Sequence, residues 1–123
     1  MNGNDQNATS AAELFDLLWE SLADVLGTAA TATLLRRAIK RAVTRTAWPE
    51  PIVVARSGLD YTYRLPDTWK QPDHDEAIDE LRIIAAELRV LLVELTGPVV
   101  TARLGHLEPL RKWGIDFGAP GAP

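Results

Sequence analysis

The chain has 123 residues, 46% of them hydrophobic and 24% charged, which suits a single domain with a modest core. It has no cysteine, and this excludes disulfides, thiolate metal sites and a cysteine nucleophile. The net charge of −4 opposes a protein that coats nucleic acid or an anionic membrane, yet no acid stands between Asp24 and Glu50, an interval holding Arg36, Arg37, Lys40, Arg41 and Arg45.

Residues 1–9 are polar and poor in apolar side chains, so a flexible arm is expected there, followed by one helix-rich domain over 10–117. Residues 1–10 lack the basic and apolar regions of a signal peptide, and no uncharged apolar run approaches the roughly 18 residues of a membrane span. The cytoplasm is the expected compartment, with no membrane partner. Ser10 and Glu13 have the spacing of a capping box, and Leu14, Leu17, Leu18, Leu22, Val25 and Leu26 follow at helical intervals, predicting a first helix over 11–26. Gly27 stands where a left-handed residue ends a helix, and Thr28 can cap a second helix running to about Thr46. On that helix Leu34, Leu35, Ala38, Ile39, Ala42 and Val43 share one side, with Arg36, Arg37, Lys40 and Arg41 on the other.

Trp48-Pro49-Glu50-Pro51 stops the second helix, because proline lacks an amide donor and restricts the residue before it. Ile52-Val53-Val54 and Tyr61-Thr62-Tyr63 have strand character and flank the turn-forming Ser57-Gly58-Leu59-Asp60, predicting a β-hairpin that must pack on the helices or on another copy. Asp73 and Glu76 have capping spacing ahead of a long helix that ends at Gly97-Pro98, and Asp75 adds charge favoured by the helix dipole. Pro98 suits the first position of a short helix to about Leu104, and Glu108 to Trp113 predicts another turn or two. The final GAPGAP, residues 118–123, is expected to be disordered. The fold class is therefore predominantly helical α+β: two amphipathic helices, a hairpin, one long helix and short C-terminal helices.

Two apolar stripes run along the long helix. Ala77, Leu81, Ile84, Leu88, Leu91 and Leu95 form a seam expected to face the core, while Ile83, Ala86, Val90 and Val93 lie roughly opposite. One neighbour cannot cover both, so the second stripe predicts self-association, a two-fold homodimer being the commonest arrangement; the alternative is cover by the hairpin or the C-terminal segment. Asp79, Glu80, Glu87 and Glu94 flank the stripes and are placed to meet the basic side of the second helix.

Leu22 to Gly27, followed by the Thr- and Ala-rich run from Thr28 to Thr33, resembles the turn of helix-turn-helix DNA-binding domains. Ala23 and Gly27 match, whereas Thr33 and Arg36 stand where the motif has apolar core residues. The resemblance, over residues 22–41, implies a DNA-binding regulator contacting DNA through Thr28, Thr31, Arg36, Arg37 and Lys40. Without it, the cluster Arg36, Arg37, Lys40 and Arg41 is expected to bind an acidic or phosphorylated protein, because clustered guanidinium groups pair well with carboxylate and phosphate. Trp48, Tyr61, Tyr63 and Trp69 can line an aromatic ligand pocket or an interface, and core packing is the plainer role. His74 and His106 belong to no ligand motif, so no metal or cofactor is expected. Ser57, Asp60 and His106 lack the context of a nucleophile elbow, and no catalytic motif is present. The expected function is a non-catalytic, homo-oligomeric interaction or regulatory domain; a ligand sensor built on the hairpin aromatics is a further alternative.

Overall fold

Ser10 sets the first element in place. Its hydroxyl accepts from the Glu13 amide at 3.2 Å, and the Glu13 carboxylate accepts from the Ser10 amide, closing the expected capping box at the start of α1, Ala11–Leu26. The computed structural model describes residues 9–45, 52–72, 74–115 and 117. Helix α2, Thr28–Arg45, follows after one residue, Gly27, with φ 87° and ψ 161°. That backbone region suits glycine alone, and the residue both closes α1 through its amide and opens α2 through its carbonyl, which accepts from Thr31. Gly27, rather than the expected Thr28, thus precedes the helix, and Thr28 is its first residue.

The hairpin is β1, Val53–Ser57, antiparallel to β2, Asp60–Arg64, joined by Gly58-Leu59 with Ser57 opposite Asp60. Val54 is paired with Tyr63 and points inward, and both strands lie against α2. A 3₁₀ turn, Asp67–Lys70, then buries Trp69. The long helix α3, Asp75–Thr96, is capped by His74, whose Nδ1 accepts from the Ala77 amide at 3.2 Å. An unprotonated imidazole nitrogen fills the role expected of Asp73, which lies outside the described residues. Gly97 separates α3 from α4, Pro98–Gly105, which carries its proline in the first turn as expected, and α5, Glu108–Lys112, completes the chain of helices.

The α+β, predominantly helical class is what the structure shows. Helix α3 is central: it packs on α1, α2, the 3₁₀ turn and α4. Its buried side is Ala77, Ile78, Leu81, Ile84, Ala85, Leu88, Leu91 and Leu92, broader than the predicted seam because elements press on it from more than one direction. Leu95 departs from expectation and is 64% exposed. It lies on the core side by periodicity, but in the last turn of the helix before Gly97. The expected arm (except Thr9), the 48–51 helix stop and the 118–123 tail lie outside the described residues. Among the described residues, no helix is long and apolar enough to cross a membrane.

Candidate interaction surfaces

The hairpin aromatics are mostly spent on packing. Phe15 meets Tyr63 edge-on at 4.9 Å and Trp69 at 6.1 Å, and Trp19 lies against Tyr63 at 4.9 Å. Trp69 is fully buried, with its indole N–H donating to Glu80 Oε1 at 2.8 Å, so it is not open to a ligand as the aromatic-pocket expectation required. It clamps the segment after the hairpin between α1 and α3. Tyr63 donates its hydroxyl to Asp16 Oδ1, and burial, followed by that carboxylate and then Glu20, pushes its pKa well above the ordinary phenol range. Tyr61 is half-buried against the core, and Trp48 lies outside the described residues.

On α2 the structure leaves Arg36, Arg37, Lys40 and Arg41 exposed in one row, as the amphipathic pattern predicted. They are not equivalent. Arg41 turns toward α3 and its Nη1 lies 4.0 Å from Oε1 of Glu87, a buried carboxylate. Arg36 and Lys40 instead edge a groove of about 360 Å³ against β1, floored by Ile39, Val43 and the exposed Val53. That apolar floor beside the cations follows from the hairpin packing on α2 and was not legible from the helix alone. Of the other acids expected to meet the basic side, Asp79 pairs with Arg82 within α3 at 2.5 Å, and Glu80 holds Trp69.

The helix-turn-helix residues divide. Thr28 is exposed at the start of α2, but Thr31 is fully buried and donates its hydroxyl to the Gly27 carbonyl at 2.8 Å. Thr31 therefore cannot contact DNA, a correction to the set drawn from the motif. The register of α2 that buries Ala32, Leu35 and Ala38 turns Thr31 inward with them.

The outer stripe of α3 is the larger opening. Val90 is 48% exposed and Val93 45%, with Ala86 exposed beside them, whereas Ile83 is half-buried against the core. Ala86, Val90 and Val93 floor an open groove of about 530 Å³ whose rims are Arg82, Arg89, Glu94 and Gly114. Arg82 closes one end. Its Nε and Nη2 donate to the Trp113 carbonyl at 3.0 and 2.7 Å, tying the turn after α5 to α3. Among the described residues, the hairpin does not line this groove, and of the C-terminal segment Gly114 stands at its Arg82 end. Arg89 and the Arg82 clamp were not among the predicted site residues; the place of Arg89 beside the second stripe was the available signal, while the clamp joins residues too far apart in sequence to be read locally.

Comparison of the chain with protein-family models, with curated proteins and with solved structures finds no match.

Proposed function

We propose that this protein is a non-catalytic interaction domain that self-associates through the outer side of α3 and offers the basic row of α2 to an acidic or phosphorylated protein. The observation that carries the reading is the apolar floor formed by Ala86, Val90 and Val93, which is open among the described residues although the core around α3 is filled from its other sides. Large apolar side chains rimmed by charge are what a self-associating helix presents. The exposed Arg36, Arg37 and Lys40, with no acid on their helix, supply the second surface. The reading includes a regulatory role in the cytoplasm.

Analytical ultracentrifugation of the full chain tests the reading. The wild type is expected to sediment as a dimer that dissociates on dilution, and Val90→Glu as a monomer with an unchanged helical circular dichroism spectrum. A wild type with the mass of one chain at every micromolar concentration removes the proposal.

A further inference from the structure

We infer that α3 pairs with α3 of a second copy in parallel and in register, about a two-fold axis running along the two helices. The inference rests on the self-association reading and adds its direction and its charge contacts. Ile83, Ala86, Val90 and Val93 are spaced 3, 4, 3, the alternation of a and d positions in a heptad. Ile83 and Val90 then occupy a, and Ala86 and Val93 occupy d. The same frame puts Arg82 and Arg89 at g, with Glu87 and Glu94 at e. Both g positions are cations and both e positions are acids.

This pattern sets direction. In a parallel pair the g side of one helix faces the e side of the other, so Arg89 of each chain meets Glu94 of the second copy, twice by symmetry. Reversing one helix sets g against g and e against e, arginine facing arginine and glutamate facing glutamate. The β-branched residues at a are those that favour parallel two-stranded pairing. Alanine at d lets the helices approach closely at that layer.

Among the described residues, the C-terminal half of α3 is open for this. Glu87 faces α2 and Arg41, and Arg82 is engaged by Trp113 and Asp79, so the N-terminal charged positions serve the monomer. From Ala86 to Glu94 the stripe and its rims, Arg89 and Glu94, line the open groove.

A charge-exchange experiment on the full chain tests the direction separately from the surface. Arg89→Glu and Glu94→Arg are each expected to weaken self-association by about tenfold, since like charges then meet at two symmetric places. An equimolar mixture of the two variants is expected to recover wild-type affinity as a heterodimer, because both pairs are restored with their signs exchanged. If Arg89→Glu instead leaves the dimer as tight as wild type, and an equimolar mixture of wild type and Arg89→Glu associates more tightly than either alone, the helices pair antiparallel: the direction is wrong and the surface stands. If the wild type is monomeric, or if Val90→Glu leaves a dimer untouched, the surface reading fails and the direction fails with it.

Discussion

Replacing Gly114 by alanine is expected to destabilise the fold by about 2–3 kcal/mol, with roughly a third to a half of that cost depending on Arg82. Two effects combine. Gly114 has φ 76°, a left-handed conformation that costs an L-residue about 1–2 kcal/mol. An added Cβ would also stand 3.1 Å from Arg82 Nε and 3.3 Å from Nη2, the two atoms that donate to the Trp113 carbonyl. The guanidinium must then move. Charge-assisted bonds can contribute about 1.5–3 kcal/mol each, but the Arg82 side chain is 43% exposed and water replaces much of what is lost, leaving about 1 kcal/mol for the displacement. Urea unfolding of the wild type, Gly114→Ala, Arg82→Ala and the double variant, compared at one chain concentration, closes a double-mutant cycle. In the Arg82→Ala background the alanine should cost only the backbone term, about 1–2 kcal/mol. Equal costs in both backgrounds would refute the steric coupling, and a negligible cost in the wild type would refute the backbone requirement as well.

Tyr63→Phe is expected to flatten the alkaline limb of the stability profile. The Tyr63 pKa is raised in the folded state, so its contribution is complete below the ordinary phenol value of 10.0 and is lost as pH climbs beyond it, where the unfolded chain ionises first. Urea midpoints measured from neutral pH upward should fall less steeply for the variant; parallel curves would show that burial beside Asp16 has no effect on titration. Ser10→Ala removes the hydroxyl half of the α1 capping box and should cost about 1 kcal/mol in the same unfolding assay. Loss of less than a few tenths would mean that the reciprocal bonds contribute nothing measurable.

The features legible in the amino-acid order are those with local causes. The capping box at Ser10 and Glu13, the break at Gly27, the turn at Gly58-Leu59 and the proline opening α4 each depend on a few neighbouring residues, and each lies where it was expected. Features made by distant contacts were not legible. Trp69 was a candidate for a ligand pocket, but its burial depends on Phe15 of α1 and Glu80 of α3 arriving on either side. Thr31 looked available to DNA until the packing of Leu35 and Ala38 fixed which way α2 turns. Leu95 satisfies the helical period and is still exposed, because periodicity gives a side of a helix but not which positions along it are covered. The outer stripe is the instructive intermediate: its spacing marked a second apolar side, and only the fold shows that Ile83 is partly covered while Ala86, Val90 and Val93 remain open.

Self-association through that stripe is the central claim, and sedimentation equilibrium of the untagged full chain over a dilution series tests it most directly. The mass should fall from two chains toward one as the protein is diluted, while Val90→Glu stays at one chain throughout with its helical spectrum intact. A wild-type mass of one chain over the whole series would contradict the claim.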